Sequence, residues 1–173
     1  MFSIGDKVID RTGKIFVVES VVSKDFGNGP SPYLVLRPYF DAGQSPAFRS
    51  FVPVDRSEQL LHGVMSKEDC LALIGCMDSL PVTLETSPRA RKELVSQVVS
   101  KGDRKEILRA IRSFEEYKAS REREKKPFSD TDKRLLSSLE TVIQDEMSVV
   151  LNIPREKLPS FIAQVRAQSA ASK

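Results

Sequence analysis

The stretch KIFVVESVVSKDFGNGPSPYLVLRP, residues 14–38, decides the fold of the first third of the chain. Its β-branched and aromatic residues form two runs, at 15–22 and 33–36, and such runs favour strands. Gly27-Asn28-Gly29-Pro30 lies between them. Glycine and asparagine accept the positive φ angles of a tight turn, and proline cannot donate to a β-ladder. The stretch therefore predicts two antiparallel strands joined by a hairpin tip.

Shorter strand signals lie on both sides of this hairpin. Lys7-Val8-Ile9 precedes it and is followed by a turn at Gly13, while Phe51-Val52-Pro53-Val54 comes after a loop predicted at 41–46. Four to five short strands within about 61 residues predict a small, strongly bent sheet or an SH3-like barrel.

Capping residues followed by apolar residues at helical spacing predict a series of helices in the rest of the chain. The strongest signal is the capping box of Asp103 and Glu106, which follows a break at Lys101-Gly102. From Ser129 or Asp130 a broad apolar stripe predicts one long central helix. Further helix starts are predicted at Ser66, Ser87 and Ser160. The predicted fold is α+β, with a small β-barrel followed by an all-α helical bundle.

The two predicted parts differ in charge. Residues 1–64 carry seven basic and seven acidic side chains, whereas residues 89–126 carry thirteen basic and seven acidic ones. The net charge of +3 is too small to indicate nucleic-acid binding, so the local excess in the helical part is the informative feature. We predict a β domain at 1–64, a helical domain at 65–168 and a frayed tail at 169–173.

Several functional classes lack the residues they require. No apolar run approaches the roughly 18 residues of a membrane span, and residues 1–10 do not have the pattern of a leader, so a cytoplasmic protein is expected. Cys70 and Cys76 have no usual metal-ligand spacing, and His62 has no second ligand or catalytic partner around it. Without a phosphate-binding glycine loop or a catalytic triad, we expect no enzymatic activity, no metal and no cofactor.

Five short segments, separated along the chain, together carry a family resemblance. They are Ile4-Gly5-Asp6-Lys7-Val8, Tyr33-Leu34-Val35-Leu36, Phe51-Val52-Pro53-Val54, Lys101-Gly102-Asp103 and Asp132-Lys133-Arg134-Leu135-Leu136. In their order and spacing they resemble the CarD family of bacterial transcription regulators, which shares its N-terminal domain with transcription-repair coupling factors. The resemblance covers roughly residues 1–152.

The resemblance implies a Tudor-like N-terminal domain that binds the RNA polymerase β subunit. A monomer is expected when the protein is free. Lys24 matches a position where family members carry a basic residue at this contact. Phe51 replaces another basic residue, and Arg49 lies two residues earlier on the same face. The β-rich segment around them also suits strand addition to a partner's sheet. The residues predicted to bind polymerase are Lys24, Phe48, Arg49, Phe51, Val52 and Pro53.

The resemblance also implies that the helical domain contacts promoter DNA at the upstream edge of the melted bubble and modulates open-complex formation. Many family members insert a tryptophan into the minor groove there, but this chain has none, and Thr86-Ser87-Pro88-Arg89 stands in its place. Weak binding, largely to phosphates, is therefore expected. The residues predicted to bind DNA are Arg89, Arg91, Lys92, Lys101, Arg123, Lys125, Lys126, Lys133 and Arg134.

Two other functions remain open. In a protein–protein adaptor, the β domain would bind another partner and the basic helices would be a solvated surface. An RNA-binding translation accessory protein would need aromatic side chains on an exposed sheet face, and the strand aromatics are few and lie in apolar contexts. Salt-dependent DNA affinity that is lost when Arg89, Arg91 and Lys92 are neutralised would separate the regulator from the adaptor.

Overall fold

The structure is a computed structural model that describes residues 1–27, 29–40, 48–83 and 87–171. Asn28 of the predicted hairpin tip, the predicted loop at 41–46 and Thr86 lie outside these ranges, as do residues 172–173 of the predicted tail.

The chain divides into two compact units, Met1–Val64 and Met65–Lys173. The strands lie in the first unit and the long helices in the second, which confirms the coarse α+β layout. Each unit has its own cluster of buried apolar side chains, and each is described separately below.

An antiparallel five-stranded sheet forms the first unit, in the spatial order β4-β3-β2-β1-β5. The strands are β1 (Lys7–Asp10), β2 (Ile15–Asp25), β3 (Pro30–Pro38), β4 (Ser50–Pro53) and β5 (Leu61–Gly63). β2 and β3 pair from Phe16 opposite Pro38 to Asp25 opposite Pro30, which confirms the predicted hairpin.

Of the two predicted forms of this sheet, strongly bent or SH3-like barrel, the barrel is not formed, because the sheet is not closed. Closure would pair the two edge strands, β4 and β5, but the sheet remains open between them. After β4 the chain makes a 3₁₀ turn at Val54–Arg56 and one short helix, α1 (Ser57–Leu60), and β5 is only three residues long. So short a strand offers few backbone groups for a second ladder. β4 is consequently an edge of the sheet.

One face of the sheet forms the core of this unit. Strand alternation points every second side chain to that face. A register shift between Val18 and Ser20 leaves Glu19 as an extra residue, a β-bulge, on β2. The buried side chains that form the core are Val8, Phe16, Val18, Leu34, Leu36, Val52 and Leu61.

Five α-helices lie in the described part of the second unit. They are α2 (Lys67–Cys76), α3 (Pro88–Lys101), α4 (Arg104–Arg123), α5 (Asp130–Leu151) and α6 (Leu158–Ala171). Side-chain oxygens of Ser66, Ser87, Asp103 and Ser129 accept hydrogen bonds from first-turn N–H groups, so these predicted caps are confirmed. α6 is longer than predicted and continues through residues 169–171, which were predicted as tail.

α5 is the central helix of this unit, as predicted. It packs against α2, α3, α4 and α6. Leu139 and Met147 on α5 and Phe114 on α4 are almost completely buried. Each such side chain contributes about 1.5–3 kcal/mol when it leaves water, so this apolar stripe is a main source of the unit's stability.

A buried ion pair joins α3 to α5. Arg91 is 4 % exposed and Asp132 is 2 % exposed. The Arg91 guanidinium donates from Nε to Asp132 Oδ1 at 2.8 Å and from Nη2 to Oδ2 at 3.0 Å. The Ser129 hydroxyl donates to Asp132 Oδ2 at 2.7 Å, and the Arg91 guanidinium carbon lies 5.0 Å from the centre of the Tyr117 ring on α4. Arg91, predicted to face DNA, is therefore a packing residue.

This geometry predicts a large loss of stability for Arg91→Met, because the Asp132 carboxylate would be left buried without its partner. We expect the free energy of unfolding in urea to fall by about 3–5 kcal/mol. The double variant Arg91→Met/Asp132→Leu removes both charges and should recover most of the loss. The exposed neighbour Arg89→Met is the matched control, with an expected change within about 0.5 kcal/mol. Equal stabilities of Arg91→Met and Arg89→Met would contradict this account.

The same pair predicts an acid-sensitive contribution to stability. Burial alone would raise the pKa of Asp132, but hydrogen bonds from Arg91 and Ser129 outweigh it and hold the pKa below its ordinary 3.8. The stabilisation is therefore present above that value and is lost as the pH falls through the lowered pKa. Unfolding measured from neutral to acidic pH should show a shallower acid loss in the double variant than in the wild type.

Candidate interaction surfaces

Three aromatic side chains meet on the face of the sheet opposite its core. Cross-strand register places Phe51 opposite Val35 and Pro53 opposite Tyr33, so these four residues share one face. The ring centre of Phe26 lies 5.0 Å from that of Tyr33 and 6.0 Å from that of Phe51, both edge to face. Phe26 is 61 % exposed and Phe51 is 39 % exposed. We call Phe26, Tyr33 and Phe51 the aromatic face.

The turn that follows β2 directs the Phe26 side chain towards this face. Asp25 Oδ1 accepts hydrogen bonds from the backbone N–H groups of Gly27 at 2.8 Å and Gly29 at 3.1 Å. Gly27 has φ +103°, a conformation that side-chain-bearing residues rarely adopt. Sequence reasoning did not identify Phe26, because it lies beyond the last residue of β2 and strand alternation does not determine its direction. The sequence Asp25-Phe26-Gly27 was the signal that could have indicated a turn that fixes the direction of the Phe26 side chain.

The structure brings together two of the predicted polymerase contacts, Lys24 and Phe51. Lys24 Nζ lies 5.6 Å from the centre of the Phe51 ring. Phe48 is also exposed, at 42 %. Val52 instead packs into the core, so its side chain is directed away from this face. Pro53 is half-buried.

Arg49, another predicted contact, is held by Glu19 at the β-bulge. Arg49 Nη2 donates to Glu19 Oε1 at 2.9 Å and Nε donates to Oε2, while Nη1 donates to the Phe48 carbonyl oxygen at 2.8 Å. The Arg49 hydrogen bonds are the main cause that lowers the pKa of Glu19, and the charge of Arg37 acts in the same direction. The bulge thus provides a carboxylate that fixes the backbone just before β4.

This arrangement predicts that Glu19→Gln loosens the start of β4 without unfolding the sheet, since both side chains are largely solvated. Amide hydrogen exchange should become faster at residues 49–51. Glu58→Gln is the control, because Glu58 pairs with the exposed N-terminal amine and should leave those amides unchanged. Unaltered exchange at residues 49–51 in Glu19→Gln would show that the ion pair does not order this segment.

A groove of about 450 Å³ adjoins the aromatic face. Its sides come from the start of β3 and from the 3₁₀ turn that follows β4. The residues that line it are Ser31, Pro32, Tyr33, Pro53, Asp55 and Arg56.

In the helical unit, the buried ion pair brings several predicted DNA contacts to one end. Arg89 and Lys92 flank Arg91 along α3, and Lys133 and Arg134 directly follow Asp132 on α5. Arg121, near the C-terminus of α4, also packs on Tyr117, at 5.9 Å from its ring centre. The end of α4 and the residues after it therefore lie at the same end of the unit. We call Arg89, Lys92, Arg123, Lys125, Lys126, Lys133 and Arg134 the basic end.

Lys101 is separated from this group. It lies ten residues after Arg91 on the same helix, which corresponds to roughly 15 Å along the helix axis. The predicted set of DNA contacts is therefore divided by the fold, with Arg91 buried and Lys101 at the other end of α3.

Carboxylates pair with about half of the basic end. Arg89 pairs with Glu93, Arg123 with Glu116, Lys126 with Glu124 and Lys133 with Asp130. Hydrogen bonds from Lys126 and Lys133 lower the pKa values of Glu124 and Asp130. Within the described ranges, no carboxylate lies in ion-pair distance of three exposed cations, Lys92, Lys125 and Arg134. These three are the cations most available to an external anion, although the charge of Arg134 also contributes to the lowered pKa of Asp130.

The cysteines do not form a reactive site. Cys70 is fully buried, and burial raises the pKa of its thiol to about 11, with the charge of Glu146 acting in the same direction. The Cys76 thiol donates to the Leu73 carbonyl oxygen at 3.2 Å. Thiolate chemistry is therefore suppressed at Cys70.

The fold and these surfaces define a two-unit α+β protein with an aromatic sheet face and a basic helical end. No family model matches the chain, and no curated protein matches it. Among the described residues, no helix is both long and apolar enough to cross a bilayer. The same part of the chain holds no group of three His, Cys, Asp or Glu side chains that could bind a metal ion.

Proposed function

We propose that this chain is a cytoplasmic transcription regulator that docks on the RNA polymerase β subunit through its sheet and contacts promoter DNA through its helical unit. The observation that carries the proposal is the juxtaposition of Lys24 with the exposed ring of Phe51. The resemblance to CarD-like proteins implies a basic residue of the polymerase contact at both positions; this chain keeps the one at Lys24 and replaces the other with Phe51. The two residues are 27 apart in sequence and adjacent on one face.

The physical character of the sheet supports protein docking. β4 is an edge strand, and an edge strand can extend a partner's sheet through its backbone groups. Phe51 lies on that strand, and Phe26 and Tyr33 extend the apolar area beside it. Aromatic side chains, phenylalanine included, are enriched in protein interfaces relative to the rest of the surface.

The basic end supports a modest contact with DNA phosphates. Lys92, Lys125 and Arg134 are available, and an incoming phosphate must compete with carboxylates for the paired cations. Affinity for duplex DNA should therefore be low and strongly dependent on salt. In this proposal the sheet supplies most of the affinity for the transcription complex and the helical unit acts on the DNA, modulating open-complex formation.

The first test measures binding of the full chain to a purified fragment of the polymerase β subunit. Phe51→Ser should weaken binding by about 2 kcal/mol or more, because it removes the central apolar anchor. Lys24→Glu should weaken it as well, by reversing the adjacent charge. Lys14→Glu, an exposed charge reversal in the turn between β1 and β2, is the matched control and should bind like the wild type. A folded wild-type chain that does not bind the fragment would refute the docking proposal.

The second test measures duplex DNA binding by fluorescence anisotropy over a range of salt concentrations. Replacing Lys92 or Arg134 with Gln should lower the slope of log affinity against log salt by about 0.9 for each phosphate that the variant no longer neutralises. Lys101→Gln is the control on the same helix as Lys92 and should leave the slope unchanged. Identical slopes for all three variants and the wild type would exclude the basic end as the DNA contact.

The ion pairs of the basic end favour one alternative, a protein–protein adaptor without a DNA role. Arg89, Arg123, Lys126 and Lys133 each have a carboxylate partner, as expected for a solvated bundle surface. The two tests together decide between these functions. An adaptor would show no salt-dependent affinity for DNA, whatever the outcome with polymerase.

A further inference from the structure

The groove beside the aromatic face shares Tyr33 and Pro53 with the proposed polymerase contact, but that contact does not use its other lining residues. Tyr33 and the rings of Pro32 and Pro53 give it flat apolar walls. The charges of Asp55 and Arg56 lie on one side, where the chain leaves β4 and enters the 3₁₀ turn. The groups that line the groove are side chains, so they would recognise a ligand by its flat apolar groups and its polar groups.

The polar groups of the groove are mostly hydrogen-bond donors. The hydroxyls of Ser31 and Tyr33 and the guanidinium of Arg56 all can donate, and no hydrogen bond or ion pair from these side chains occurs within the described part of the chain. Asp55 provides the one carboxylate acceptor. A matching ligand therefore needs several free acceptors, flat apolar groups and a cation.

We infer that this groove binds an extended, proline-containing segment of a partner protein, with a basic side chain of that segment facing Asp55. A polyproline II helix has no internal hydrogen bonds, so its carbonyl groups are free acceptors, and its prolines have no N–H groups that need acceptors. Proline rings pack well in aromatic-lined grooves. The negative charge of Asp55 complements a lysine or arginine of the segment, and the Arg56 guanidinium beside it can donate to the segment's free carbonyl groups.

This inference does not depend on polymerase docking, because the groove and the Lys24–Phe51 contact use different side chains. The Ser31, Pro32, Asp55 and Arg56 side chains belong only to the groove, while Tyr33 and Pro53 border both surfaces. A peptide alone can therefore test the groove, whatever the result with the polymerase fragment.

The experiment titrates isotope-labelled full-length protein with the capped peptide Pro-Pro-Lys-Pro-Pro and follows backbone amide shifts by NMR. Shifts should centre on Ser31, Tyr33, Asp55 and Arg56. The peptide Ala-Ala-Lys-Ala-Ala, which is not preorganised, should bind about tenfold more weakly. Asp55→Asn should weaken the lysine peptide by about two- to fivefold, the effect of one exposed ion pair. Glu68→Gln, an exposed neutralisation in the helical unit, should have no effect.

A second comparison tests the sign of the charge. Pro-Pro-Glu-Pro-Pro should bind the wild type more weakly than the lysine peptide, and Asp55→Asn should remove that difference. Three results would overturn the inference: no shifts in the groove at saturating peptide, equal binding of the alanine peptide, or groove shifts produced by a single-stranded oligonucleotide and not by the proline peptide. Lys14→Glu, in the turn between β1 and β2, should retain peptide binding.

Discussion

The bidentate ion pair of Arg91 and Asp132 is the constraint on which the arrangement of the helical unit depends. Two charges at this burial cost several kcal/mol each in lost hydration, so they are tolerated only if each is fully hydrogen-bonded. Asp132 meets that requirement with Arg91 and Ser129, and Arg91 also packs on Tyr117. The contributing side chains come from α3, α4 and the start of α5. Because these side chains must remain in contact, the ends of three helices are held together. The exposed cations next to the ion pair consequently lie at the same end of the unit.

In the sheet, the extra residue at the β-bulge orders a neighbouring segment, as the ion pair does in the helical unit. The bulge at Glu19 interrupts the pairing of β2 with β3, and the carboxylate it provides is bound by Arg49 on the segment that leads into β4. This contact is solvated and adds little to stability. Its effect is geometric, because it orders the residues just before Phe51. The aromatic face is thus fixed at two points, by this ion pair before β4 and by the Asp25 turn under Phe26.

Local signals in the sequence predicted the hairpin, the helix caps and the central helix, because these depend on residues close together in the chain. The open sheet could not be predicted in this way, since closure depends on whether two distant edge strands pair. The burial of Arg91 was missed for a related reason. A basic residue in the first turns of a helix is usually solvated, and its partner Asp132 lies 41 residues away. Lys24 and Phe51 were identified through the family resemblance, whereas Phe26 and the groove depend on turn geometry.

The number of basic-end cations without a carboxylate partner affects how strongly the helical unit would bind DNA in the proposed function, and therefore how much it would depend on docking of the sheet. Glu124 and Asp130 pair with Lys126 and Lys133, so only a few cations of the described basic end are left to attract an external polyanion strongly. In the proposed function, such a surface would bind DNA weakly by itself. It would become effective once another part of the same chain is bound nearby, because tethering replaces a bimolecular encounter with a high effective concentration. A low DNA affinity of the basic end is therefore compatible with specific action on DNA, provided that docking of the sheet on its partner determines the location.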